Sequence, residues 1–523
     1  MTRRAAFIAA VLIVAAGALA FRLPRLDLRP MHGDEAVEAF KTGLLLDHGT
    51  YRYDPEEYHG PTLHYATLPF LWLRGEGSFA ETSEVGFRLL PVVCGVGLIL
   101  VLLLVGDGLG RASAVCAGVL TAVSPAMVFY SRYYIHEMLL VLFSFVAIAA
   151  GWRYVWSKKV GWAILAGASL GLMHATKETC VFAYAAMALA VVGKLTWRRW
   201  WGYPIRLRAV ARRPHIIAAA VAAAVVSVVL FTSLFTHWRG PLDSVLTYVH
   251  YLRRSGGAGL HEHPWHYYLE MLFYSAAQTR GPWWSEALIL GLAVVGFVAV
   301  MWRESVPEAS TPLARFVAFY TLFLTAIYAV VPYKTPWCML GFLHGMILLA
   351  GIGVVVLVRL TPTHLLKGLV CLALAGAALH LGLKAHDASY RFHTDRRNPY
   401  VYAHTSGDVR NLVWQVEQLA EVHADGRRMV INVDAPENDW WPLPWYFRTF
   451  PHVGYPLPPE HMGKAAMHIL HEGLEREAPA GFEFTGYFGL RPTVHVEIYA
   501  RKELWEAFIK RQEEKTAGRA GPK

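Results

Sequence analysis

Charge is scarce in this chain: of its 523 residues only 17% are Asp, Glu, Lys or Arg, while 55% are hydrophobic and 13% aromatic. Soluble domains carry about 25% charged residues, so the ordinary globular classes are excluded and the composition is that of a membrane protein. Cysteine is also sparse. Cys94, Cys116, Cys180, Cys338 and Cys371 lie in or beside apolar runs without CxxC spacing, which makes them small core residues rather than metal ligands or a disulfide framework. A Walker A sequence, a GxSxG and an HExxH are all missing, so ATPase, serine hydrolase and zincin chemistry lack their residues. The apolar runs hold almost no ionisable residue beyond a few near their ends, such as Arg88 and Glu286. A coupled transporter, which needs charges near the midplane, is therefore disfavoured. The net charge of +10 would suggest nucleic acid in a soluble protein, but here it belongs to loops. No nucleic-acid partner is implied.

What is present is a series of about eleven long apolar runs. They fall near residues 1–21, 85–106, 112–130, 136–151, 160–175, 178–193, 215–235, 283–301, 314–331, 338–358 and 365–383. The first has the basic start and apolar stretch of a signal peptide, but its length and the runs that follow favour a retained anchor. Placing the N-terminus in the cytoplasm puts the block KLTWRRWWGYPIRLRAVARRPH, with Arg111, Lys158, Lys159 and Arg359, on the inner side. Basic residues are then denser inside than outside, as membrane insertion favours. An odd number of spans leaves the chain after about residue 385 outside the membrane. The expected fold is an α-helical polytopic membrane domain, 1–385, followed by a small extracytoplasmic α/β domain, 386–510, and a charged flexible tail, 511–523.

The α/β expectation rests on periodicity. DVRNLVWQVEQLAEVH places Val409, Leu412, Val413, Val416 and Leu419 at helical spacing, RRMVINVD and TVHVEIYA read as strands, and KELWEAFIKR reads as a helix.

With this topology, short polar clusters at the ends of the apolar runs fall on one face: HGDEA, YHGPTLHY, SRYYIHE, HATKE and PYKTPW. Asp34 and Glu35 could supply a general base for an acceptor hydroxyl or ligands for a divalent cation such as Mg or Mn, and Asp34 could equally cap the helical stretch EAVEAFKTGLLL. Tyrosines interleave with Glu57 and His59 in the next loop, as suits either sugar rings or an interfacial aromatic belt. Arg132 can clamp a phosphate or pair with Glu137, with His136 beside them. Lys177 and Glu178 stand at the start of an apolar run with barely a loop before it, where unpaired charge costs a few kcal/mol. Lys334, between two prolines, suits a phosphate headgroup or snorkels to the interface. His261, His263 and His266 match zinc spacing only loosely.

Taken together, the first-loop acidic pair, the H-G-P-x-L-x-Y stretch, the Arg132–Glu137 cluster, the Lys177-Glu178 pair and the late PLPWY resemble the GT-C membrane glycosyltransferases. The resemblance extends to the flippase-activity-associated proteins of prokaryotic N-glycosylation clusters. It implies a polyprenyl-phosphate sugar donor, with a lipid or protein acceptor and membrane lipids as the other partners. By the same likeness Asp34, with Glu35 beside it, activates or positions the acceptor. Arg132 and Lys177 hold the lipid phosphate, while a phosphate role for His59 departs from the family pattern because His-Gly-Pro stands where relatives carry Lys before Pro-Pro. Three readings follow: an inverting glycosyltransferase of the external face; a flippase or flippase helper for lipid-linked sugars; and a scaffold whose NDWWPLPWYFRTF segment binds glycans or a partner.

Overall fold

A computed structural model of the chain describes residues 2–56, 59–201, 211–254, 261–276, 281–302, 309–436, 439–474 and 479–519. Among the described residues, eight helices are long and apolar enough to cross a membrane, and three shorter apolar helices, Arg111–Val123, Val160–His174 and Ala287–Trp302, accompany them. Each apolar run of the sequence contains or coincides with one of these helices, so the chain is a mostly helical, multi-pass membrane protein.

One run departs from expectation. Residues 112–130 form two helices, Arg111–Val123 and Pro125–Tyr130, with Ser124 between them. A residue before proline is pushed out of the helical region and proline brings no N–H to continue the ladder. The Ser124 hydroxyl accepts from the Met127 N–H at 3.3 Å. The Glu286 carboxylate then accepts from the Ser124 hydroxyl and the Ala126 N–H, both at 2.9 Å.

Helices close on one another through small residues, as they must where lipid offers no hydrophobic drive to association. In the crossing of Ala287–Trp302 with Leu340–Leu360, a Cβ added at Gly296 would lie 2.0 Å from the Leu349 carbonyl oxygen, and one at Gly353 would lie 2.0 Å from that of Leu292. The two backbones therefore touch directly.

The chain divides into two compact units. One comprises Met1–Leu26, Gly49–Phe70 and Val85–Tyr402; the other comprises Asp27–His48, Leu71–Glu84 and Ala403–Lys523. The second unit holds a five-stranded sheet in the order Val453–Gly454, Ile431–Asp434, Met467–His471, Val494–Arg501, Phe482–Arg491. Its first three strands are parallel and the last two join antiparallel. The helix Asp408–Ala420 lays Val409, Leu412, Val416 and Leu419, all fully buried, into one core with Ile431, Ile469 and Ile498. The three-and-four spacing read from the sequence is the spacing of that buried stripe. The last helix, Lys502–Arg519, runs through most of the tail expected to be frayed. Arg511 holds it to Glu421 at 2.7 Å.

Overpacking a backbone contact costs ~1–3 kcal/mol or more. Gly353→Val is expected to lower the Tm of detergent-purified protein by several degrees, whereas Gly376→Val, with nothing within 4 Å of the added Cβ, should leave it unchanged; differential scanning fluorimetry reads both.

Candidate active site

The acidic pair belongs to the second unit, where the helix Gly33–His48 begins at the HGDE turn. Asp34 lies inside the first helical turn rather than capping it. Capping is shared by His32, whose Nδ1 accepts from the Asp34 N–H at 3.0 Å, and by Glu35, whose Oε2 accepts from the His32 N–H at 3.1 Å while Oε1 stands 3.8 Å from Arg29, the reach-back half of a capping box. The turn is pinned further by the Tyr446 hydroxyl, which accepts from the Met31 N–H at 3.0 Å, and by the Thr405 hydroxyl, which donates to the Met31 carbonyl at 2.6 Å. The pair thus splits: the Glu35 side chain is fully buried, and that of Asp34 is 55% exposed. PLPWY and HGDEA, far apart in sequence, hold one turn between them.

The remaining clusters belong to the first unit. The YHGP loop docks on the turn at residues 175–178: the Gly60 N–H donates to the Thr176 carbonyl and the Thr62 N–H to that of Ala175, both at 3.0 Å, and the Thr62 hydroxyl donates to Ala175 at 2.6 Å. A Cβ at Gly60 would sit 2.2 Å from the Ala175 oxygen, so the motif requires its glycine. Docking brings His59 Nδ1 to 3.0 Å from Glu178 Oε2. Next to it, Lys177 Nζ donates to Glu137 Oε1 at 2.5 Å, both side chains being buried. Burial works against the charge on Lys177, but Glu137 and Glu178 outweigh it and hold the ammonium well above its ordinary range. Burial likewise opposes charge on Glu178, yet His59 and Lys177 pull its carboxyl down to about 2. His136, whose Nε2 donates to the Gly60 carbonyl at 3.1 Å, is driven well below the usual histidine range by burial and by His59, His64 and Lys177; it stays neutral. A narrow apolar pocket of about 20 Å³ opens beside Glu137, lined by Leu140, Val141, Tyr320, Leu324 and Trp337 among others.

Arg132 and Lys334 are tied to main chain. Arg132 donates to the carbonyls of Arg22, Pro24 and Arg25 and to the Tyr390 hydroxyl, its guanidinium 4.3 Å above the Tyr390 ring. It thereby takes up carbonyls released where the helix Arg3–Arg22 ends. Lys334 Nζ donates to the carbonyls of His263 and Val331. The three histidines once matched loosely to zinc face different partners: His261 meets the Tyr402 hydroxyl at 2.6 Å, His263 stacks on Tyr267 at 4.1 Å, and His266 meets Glu270 at 3.0 Å. Glu57 lies outside the described residues. Sequence reading missed Tyr390 and Thr405, single polar residues whose roles appear only on folding, whereas PLPWY had already stood out as a motif.

The family model for dolichyl-phosphate-mannose-protein mannosyltransferases matches residues 63–240. No curated protein matches the chain by sequence. Among solved structures, the chain is similar to ArnT from Cupriavidus metallidurans bound to undecaprenyl phosphate, at 15% identity and a TM-score of 0.66 over 94% of this chain and 98% of that one. The chain has the GT-C fold. The archaeal oligosaccharyltransferase AglB from Archaeoglobus fulgidus, in complex with an inhibitory peptide and a dolichol-phosphate, is also similar, at 12% identity and a TM-score of 0.53 over 95% of this chain and 74% of that one. The matched segment contains Arg132, His136, Glu137, Lys177 and Glu178.

The depressed Glu178 carboxyl contributes stability that is fully present above its unfolded value of 4.5 and is lost as pH falls toward about 2. Thermal unfolding of wild type and Glu178→Gln should therefore differ most at neutral pH, with the two Tm curves converging as the pH is taken below 4.5.

Proposed function

We propose that the protein is an integral-membrane glycosyltransferase that moves a sugar from a polyprenyl-phosphate donor to an acceptor on the extracytoplasmic face. The observation that carries this reading is the buried, charged Lys177 beside Glu137 at a helix end, next to an apolar pocket. A cation kept charged at an apolar helix end supplies the counter-ion that a lipid phosphate needs beside hydrocarbon. The GT-C fold and the undecaprenyl phosphate bound in ArnT support the same donor class.

The chemistry is a displacement at the anomeric carbon. The acceptor oxygen forms the new C–O bond as its proton passes to Asp34, the anomeric C–O bond to phosphate breaks, and the polyprenyl phosphate leaves with the electron pair, giving inversion. Asp34 takes the base role because its carboxylate is exposed, whereas that of Glu35 is committed to the turn. Lys177 has N–H groups beyond the one given to Glu137 and neutralises the departing phosphate. Arg132 and Lys334 act as positioning residues, since their hydrogen bonds hold the ends of helices and loops. His59 and His136 support Glu178 and the YHGP loop. The N-terminus is assigned to the cytoplasm and Ala403–Lys523 to the outside of the plasma membrane on the distribution of Lys and Arg.

Two measurements test the reading on membranes given labelled polyprenyl-phosphate sugars. Asp34→Asn should cut the release of polyprenyl phosphate by ~10²–10⁴-fold; undiminished release would overturn the base assignment. The paired change Lys177→Met with Glu137→Gln removes the cation without stranding a buried charge, and should raise the donor KM. If Asp34→Asn instead leaves intact sugar lipid crossing vesicle membranes, with no release of phosphate by either protein, the molecule is a flippase.

A further inference from the structure

The helix Gly240–Arg254 has its polarity inside out. Asp243, Ser244 and Thr247 are buried, at 4%, 2% and 2% exposure, while Leu242, Val245 and Val249 are 59%, 60% and 46% exposed. Each set recurs at three- and four-residue spacings, so each forms one face of the helix. The buried polar face is engaged: Asp243 pairs with Arg239 at 3.0 Å, the Ser244 hydroxyl donates to the Pro241 carbonyl at 2.7 Å, and the Thr247 hydroxyl donates to the Pro55 carbonyl at 2.8 Å. A helix in water would not fold this way round.

We infer that this helix lies flat in the interface of a phospholipid bilayer, with Leu242, Val245 and Val249 set among the lipid chains. Its fifteen residues span about 22 Å, short of the ~30 Å of hydrocarbon that a crossing helix must cover, and it is not among the helices apolar enough to cross. The apolar face continues from a lipid-facing surface. The preceding helix, Arg213–Phe231, is only 6% buried over its apolar window, and the exposed residues Leu234, Phe235 and Trp238 bridge the two. An exposed tryptophan at such a junction is the usual mark of the membrane–water boundary. The Arg239 side chain, just before the helix start, stays 67% exposed while it bonds Asp243.

The interfacial placement has a mechanical consequence. Through Thr247 and Pro55 the helix holds the segment that carries Tyr53, which is buried and packs edge-on against Phe231 at 4.8 Å. That segment leads on to His59 and Glu178, so the lipid surface braces the approach to the charged cluster from one side.

The test places an environment-sensitive fluorescent amino acid, singly, at positions 242, 245 and 249 of the full-length protein, by nonsense suppression. The protein is reconstituted in phosphatidylcholine vesicles containing phosphatidylglycerol. Because all three sites are exposed, the label does not enter the core. A label at Trp414, 53% exposed on the sheet-bearing unit, serves as the aqueous control. Lipids carrying a doxyl group high on the acyl chain should quench the three helix labels several-fold more than the control, and aqueous iodide should do the reverse. Iodide quenching at 242, 245 and 249 without doxyl quenching would overturn the inference by showing a wet face. Quenching by neither would overturn it in favour of a second copy of the chain or another protein covering the helix.

Discussion

A charge taken out of water into a helical bundle costs several kcal/mol unless a partner meets it, and the first unit is arranged around that requirement. Lys177 is met by Glu137, and Glu178 by His59. Arg22 and Arg132 are met by main-chain carbonyls, and those carbonyls exist because helices stop nearby. Arg22 donates to Thr121 and Ala122, at the end of Arg111–Val123; Arg132 donates to Arg22, Pro24 and Arg25, just past the end of Arg3–Arg22. Each arginine thereby closes the open end of a helix. The break at Ser124 and the turn after the first helix are therefore as much a part of the electrostatics as the charged residues are.

The same requirement separates residues that look alike in sequence. Arg132, Lys177 and Lys334 are all basic residues at helix boundaries, and composition offers no way to rank them. Arg132 and Lys334 are wrapped by carbonyls, whereas Lys177 is set against a carboxylate beside an apolar pocket. Asp34 and Glu35 divide in the same manner, because successive positions on a helix point about 100° apart and only Glu35 turns back toward the His32 N–H.

Much of the helical framework was legible in the sequence because long apolar runs and the Val409–Leu412–Val416–Leu419 stripe are strong periodic signals. Three strands were not. Met467–His471 is nearly all buried and central to its sheet, so it shows no alternation, and Val453–Gly454 is two residues long. Phe482–Arg491 carries bulges near Phe484 and Gly489 that break its period of two. The single-residue partners were also out of reach. That Tyr390 meets Arg132, or that Thr405 meets Met31, depends on contacts between residues hundreds of positions apart.

The docking of the YHGP loop bears on how such a protein diversifies. Of the three bonds that seat the loop on residues 175–176, two are made by main-chain N–H groups and one by the Thr62 hydroxyl, and all three end on main-chain carbonyls. The His59 side chain adds a further tie to the same turn, its Nδ1 lying 3.0 Å from Glu178 Oε2. Because the other three bonds end on main chain, a substitution at His59 changes the partner of Glu178 while those bonds still hold the loop. Gly60, with no room for even a methyl group, is the fixed point about which such drift turns.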